Sequence, residues 1–276
     1  MSATPLDDIR SLISTLPGPD EQARAAAAAG LSQPGGLGRL EEIALWLAAW
    51  SGKVRPQLRR PILALYAGAP GPGHLDAAEM ARAKLEAVAA GKAAVSRLAQ
   101  AAGAGLEAFD LAIDRPIGDM AVGPALGDRE CAATMAFGME VLAKQPDLLM
   151  VAEIETSADN ARAVMAAVRA GGDGLDILRR LGSRQIAAAA GAILGARMQK
   201  TPVILDGPGP IAAAAALRLV DPRAADHCLI AQAPGFDAID LPLAPLLDLA
   251  CATFDGTGAL AALSVVKLAG AVLDPE

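Results

Sequence analysis

Between residues 61 and 231, short unbroken apolar runs alternate with longer alanine- and leucine-rich segments of helical spacing, and few architectures accept that alternation. Pro61-Ile62-Leu63-Ala64-Leu65-Tyr66-Ala67 is the first run, closed by Gly-Ala-Pro-Gly-Pro-Gly. Similar runs stand at 106–113, at 148–152 ending on Glu153, at 202–206 and at 228–231. A run that is apolar on both of its sides fits a strand covered on both faces. The intervening segments 75–101, 158–170, 174–181, 184–198 and 210–218 read as helices. The expected fold is α/β: a doubly wound, mostly parallel sheet with helices on both faces.

Segments 5–16 and 38–50 at one end, and 241–252 and 257–271 at the other, also read as helices. In the second, Leu40, Ile43, Leu47 and Trp50 recur at helical spacing. The expected organisation is an N-terminal helical lobe over 1–56 and a Rossmann-like domain over 57–276. The last helix is expected to return to the lobe.

Apolar residues make up 53% of the chain and aromatics only 3%. Alanine and leucine therefore fill the core, and helices must approach closely. A net charge of −7 and a pI near 5.0 speak against nucleic-acid or anionic-membrane partners. Cys131, Cys228 and Cys251 have no paired spacing, and His74 and His227 are isolated, so no metal site is expected. The unpaired cysteines and the absence of an apolar leader at the start fit a cytoplasmic protein. The alanine runs at 25–29, 187–190 and 212–216 are flanked by charge, Gly or Pro, which fits buried helices better than membrane spans.

In open α/β sheets, ligands gather beyond the carboxyl ends of the strands. Glu153 and Asp206 stand at such ends. Glu153 is either a base, or an acid at a strand end that caps the helix over 158–170 or faces solvent. Asp206, before Gly207, either lines the crevice or caps the following helix. No Gly-x-Gly-x-x-Gly and no Walker motif is present, which leaves a dinucleotide site without support. Asp255-Gly256-Thr257-Gly258 precedes the last helical segment. Its glycines allow close backbone approach, and the free N–H groups of a helix start attract anions. Asp255 is either the cap of that helix or a base beside an anion-binding turn. Arg179 and Arg180 either meet a phosphate or form a solvated helix face.

Several segments, in order, resemble the nicotinate-nucleotide–dimethylbenzimidazole phosphoribosyltransferases of cobalamin lower-ligand synthesis. They are Gln33-Pro34-Gly35-Gly36-Leu37-Gly38-Arg39-Leu40-Glu41 and Met120-Ala121-Val122-Gly123-Pro124-Ala125-Leu126. Next come Asp173-Gly174-Leu175-Asp176 and the Ala-rich run through Gly195-Ala196, then Pro202-Val203-Ile204-Leu205-Asp206-Gly207. The last is Asp255-Gly256-Thr257-Gly258-Ala259. The resemblance implies a homodimer that moves phosphoribose from nicotinate mononucleotide to a benzimidazole-type base, with no metal and no cofactor. It implies Asp255 as the base for the azole N–H and Glu153 as the second catalytic carboxylate. It places Gly174, Asp206, Gly207, Gly256, Thr257 and Gly258 at the substrate.

The chain also departs from the family pattern. The D-H-G after the first strand is Gly68-Ala69-Pro70, the glycine after the second carboxylate is Glu155, and S-H-x-S-A-E is Ala231-Gln232-Ala233-Pro234-Gly235-Phe236. A stretch with a phosphate-contacting lysine, before Asp173, is missing. Three functions follow: transfer, an inactive paralogue that binds a base or nucleotide or acts as a regulatory partner, or an unrelated small-molecule enzyme on the same scaffold.

Overall fold

The computed structural model describes residues 4–31, 34–69, 71, 75–154, 158–233 and 245–273. Among the described residues, five strands form one sheet, all neighbouring pairs parallel: β1 (Pro61–Gly68), β2 (Gly105–Leu111), β3 (Leu148–Glu153), β4 (Val203–Leu205) and β5 (Cys228–Ile230). Their order is β2-β1-β3-β4-β5, so the winding reverses beside β1. Every residue of β1 and β3 is buried, as their unbroken apolar runs require.

Side chains of successive strand residues enter two cores. Ile62, Ala64 and Tyr66 join Leu149, Val151, Val203 and Leu205 on one face. Leu63, Leu65 and Ala67 join Met150, Ala152, Ile204 and Leu229 on the other. The first face is covered by α1 (Pro5–Ser14), α6 (Asp128–Gly138), α7 (Ala158–Ala170), α8 (Gly174–Leu181), α9 (Arg184–Met198) and α10 (Pro208–Val220). The second is covered by α2 (Glu21–Ala29), α3 (Arg39–Ser51), α4 (Leu75–Ala89), α5 (Ala94–Ala102) and α11 (Thr257–Ala271). The N-terminal helices are thus divided between the faces, and α11 packs on α3. Small residues set the spacing. A side chain on Gly191 of α9 would collide with the Met135 carbonyl of α6, and one on Gly138 with the Ala188 carbonyl.

Helices α7, α8, α9 and α11 fall where the sequence pattern puts them. The expected helix over 75–101 is two helices, broken at Gly91, whose φ of +68° favours glycine. Three elements carried too little apolar periodicity to be expected: α2, α6 and the 3-10 turn Met139–Lys144. The expected helix at 241–252 is a correction over its described part. Residues 245–252 are not helical: Leu246 and Leu247 donate N–H groups to Ile230 and Ala231 O, at 2.9 and 3.0 Å, and Ala233 N–H donates to Leu247 O. The open edge of β5 supplies partners that a helix would not use. Among the described residues, no helix is long and apolar enough to cross a membrane.

Candidate active site

Helices α10 and α11 both begin beyond the carboxyl ends of the strands, and each is entered through a glycine at positive φ: Gly207 at +99° and Gly256 at +92°. Added side chains would strain both turns and also meet neighbours, Phe254 Cβ at 2.7 Å for Gly207 and the Leu63 side chain for Gly256. The residue after Asp206 therefore packs on the residue before Asp255. The two turns interlock.

Three carboxylates meet these helix starts. Glu153, the last residue of β3, is 1% exposed, and its Oε1 accepts the Gly209 N–H of α10 at 2.9 Å. Glycine is needed there, because a side chain on residue 209 would strike that carboxylate. Asp206, also 1% exposed, accepts the Ala259 N–H of α11 at 3.0 Å through Oδ2. Its Oδ1 and the Gln232 Nε2 make no hydrogen bond among the described residues. Burial raises the Asp206 carboxyl to about 6. The N–H groups of Ala259 and Gly258 oppose that rise, the charge of Asp255 adds to it, and the Gln232 amide opposes it. Asp255 is half-buried, and its Oδ1 accepts from Thr257 N at 3.3 Å and Thr257 Oγ1 at 2.7 Å.

Both open readings of these acids acquire geometry. Glu153 caps α10, a helix that begins after the next strand. Asp206 caps α11, not the helix that directly follows it. Asp255 caps its own turn while remaining partly exposed. Gly207, Gly256, Thr257 and Gly258 gather with these acids. Gly174 does not: it starts α8 against the Ala216 carbonyl, near the far end of α10. Arg179 is bound to Asp176 and Asp128, at 2.7 and 3.1 Å. Arg180 lies on an exposed face, 4.0 Å from Asp176. His227 is fully buried against the Ile193 carbonyl, and burial lowers it to about 3, so it is neutral in the core. Trp46 and Trp50 are core residues. Glu155, His74, Gln33, Pro70 and 234–236 lie outside the described residues.

Sequence reasoning missed two amides. Gln232 is 2% exposed and accepts the Cys251 N–H at 3.3 Å. Gln185 is 1% exposed and donates to the Gly68 carbonyl at the end of β1, at 3.2 Å. The available signal was a polar residue ending or interrupting an apolar run. A cavity of about 300 Å³ lies beside the end of β2, lined by Asp110, Phe137 and the Glu130–Arg184 ion pair among others, and none of the expected site residues borders it.

The family model described as "Phosphoribosyltransferase" (DBI_PRT) matches residues 16–171 and 155–275. The chain is 42% identical to a nicotinate-nucleotide–dimethylbenzimidazole phosphoribosyltransferase of Allorhizobium ampelinum over 322 positions, 98% of this chain and 94% of the relative. It is also 42% identical to the enzyme of that name from Agrobacterium fabrum, over 98% of this chain and 93% of the relative. These alignments run over more positions than this chain's 276 residues, so the relatives carry segments that it lacks. The fold matches the crystal structure of the enzyme of that name from Thermus thermophilus, with a TM-score of 0.82, 23% identity and coverage of 92% and 96% of the two chains. The ordered motifs, the parallel sheet and these matches agree: the chain belongs to the nicotinate-nucleotide–dimethylbenzimidazole phosphoribosyltransferase family.

Proposed function

We propose that this protein transfers phosphoribose from nicotinate mononucleotide to a benzimidazole-type base, with Asp255 as the proton acceptor. The position of Asp255 carries this reading. Of the three carboxylates at the helix starts, Glu153 and Asp206 are turned inward, whereas Asp255 is partly exposed on the turn that opens α11. In the reaction the azole N–H proton passes to the Asp255 carboxylate. The azole nitrogen bonds to C1′ of the ribose, and the bond from C1′ to the pyridinium nitrogen breaks. Its electron pair stays on the ring, which leaves as nicotinate. The anion-attracting start of α11 is already occupied, with the Thr257 N–H on Asp255 and the Ala259 N–H on Asp206, so in this reading the turn orients the carboxylates and does not hold the substrate phosphate. The protein acts as a homodimer in the cytoplasm in this reading, supported by the family resemblance and by three free cysteines.

A second reading, binding of nucleotide or base without turnover, is favoured by one observation. The family match falls into two pieces that meet at 155–171, and the relatives carry segments absent here. One experiment separates the readings. The protein is mixed with millimolar nicotinate mononucleotide and dimethylbenzimidazole, nicotinate release is followed by chromatography, and nucleotide binding is followed by calorimetry. Release supports transfer. Binding without release supports the second reading, and no heat of binding removes both.

A further inference from the structure

The base turn is held by side chains from two strand ends. Asp206 follows β4 and Gln232 follows β5. Asp206 Oδ2 receives the Ala259 N–H, and Gln232 Oε1 receives the Cys251 N–H, so the two residues grip the segment 251–259 on both sides of Asp255. Their remaining polar atoms turn toward one point. A side chain on Gly258 would bring its first carbon within 2.7 Å of Asp206 Oδ1 and 2.9 Å of Gln232 Nε2. One atom is an acceptor and the other a donor, and both are buried without a hydrogen bond among the described residues. An apolar pair would close the same space but leave the Ala259 and Cys251 N–H groups without their acceptors, so the pair holds the turn through its polar atoms.

We propose that Asp206 and Gln232 are a positioning pair for the transfer, setting where the Asp255 carboxylate sits without touching substrate. The inference rests on the reading of Asp255 as the base. The pair works through complementarity, acceptor facing donor, against the start of α11. Asp206→Asn leaves an acceptor for the Ala259 N–H but turns an amide donor toward Gln232 Nε2 and the Gly258 N–H. Gln232→Glu keeps the acceptor for Cys251 but sets two carboxylates face to face. The double variant restores a donor facing an acceptor at the same net charge as the wild type. Displacement of a reacting group by about 1 Å costs on the order of 100-fold in rate.

The test measures kcat and KM for both substrates in Asp206→Asn, Gln232→Glu and the double variant, together with amide chemical shifts of Gly256, Thr257 and Gly258 without substrate. Each single variant is expected to lose about 10- to 100-fold in kcat, with KM changed by less than about threefold. The double variant is expected to return to within about fivefold of the wild type, with its amide shifts restored. A merely structural role would lower stability and leave kcat per folded molecule unchanged. Single variants with wild-type kcat and unmoved shifts overturn the proposal, and so does a double variant no better than the worse single one. Should Asp206→Asn not fold, Gln232→Ala gives the same readout without an added charge. If wild-type protein shows no transfer, the amide shifts alone decide: moved in the singles and restored in the double, they sustain the pair while the assignment of Asp255 as base falls.

Discussion

Glu153 Oε1 accepts the Gly209 N–H at 2.9 Å, so the last residue of β3 closes the first turn of a helix that begins after β4. The same device recurs one strand further on, where Asp206 closes the start of α11. Each carboxylate meets the positive end of a helix and satisfies an N–H group that has no partner within that helix.

Asp255→Asn keeps the size of the side chain and an acceptor for Thr257 while removing the proton acceptor. Loss of a positioned base lowers rates by about 100- to 10,000-fold. Nicotinate release should fall by that factor with the far-ultraviolet circular dichroism unchanged. An unchanged rate removes Asp255 from the chemistry.

Gly209→Ala forces a methyl group into the Glu153 carboxylate, which has no exposed direction in which to move. Urea unfolding should show a loss of about 1–3 kcal/mol, typical of overpacking. Gly123→Ala, at a position with nothing close by, should cost far less.

Asp206 titrates near 6 in the folded protein, above its ordinary value of 3.8. Between those values the folded state binds the proton more tightly than the unfolded chain. Its contribution to stability is therefore greatest below about pH 4 and is lost as pH rises through about 6. The unfolding free energy of the wild type, relative to Asp206→Asn, should fall by about 2–3 kcal/mol across that window and stay flat above it. Urea titrations at pH values from 4 to 8 measure this difference. A relative stability that rises with pH would contradict the assignment.

Arg197 is 3% exposed, lies 4.1 Å from the centroid of the Trp50 ring, and donates Nε to the Pro17 carbonyl at 2.6 Å. Its Nη1 makes no hydrogen bond among the described residues, and burial lowers its proton affinity. Arg197→Ala should destabilise by about 2–4 kcal/mol through lost packing. Arg197→Met, which refills the volume without a buried charge, should cost about half as much or less. Chemical unfolding monitored by tryptophan fluorescence distinguishes the two.

The strands were legible because burial on both faces demands unbroken apolar runs, and β1 and β3 begin where those runs begin. Helices α7 and α8 were legible because their apolar residues recur at helical spacing, and α9 because a long apolar run, buried on all sides, follows the Ser183 cap. Helices α2 and α6 were not. Alanine fills most of α2 and carries little contrast between a buried and an exposed face, and in α6 polar, small and apolar residues are mixed without a clear helical period. At 245–252 the apolar pattern favoured a helix, but the unfilled edge of β5 captured Leu246 and Leu247 instead.

The order of apolar runs, glycine turns and acids determined the fold class, the family and the three carboxylates worth attention. Those are local properties, written residue by residue. Only the tertiary structure decided which helix each acid meets. Glu153 reaches across to α10 and Asp206 to α11, while Asp255 stays with its own turn. Spacing along the chain cannot express those pairings, because they depend on which helix starts the parallel strands bring together at one end of the sheet.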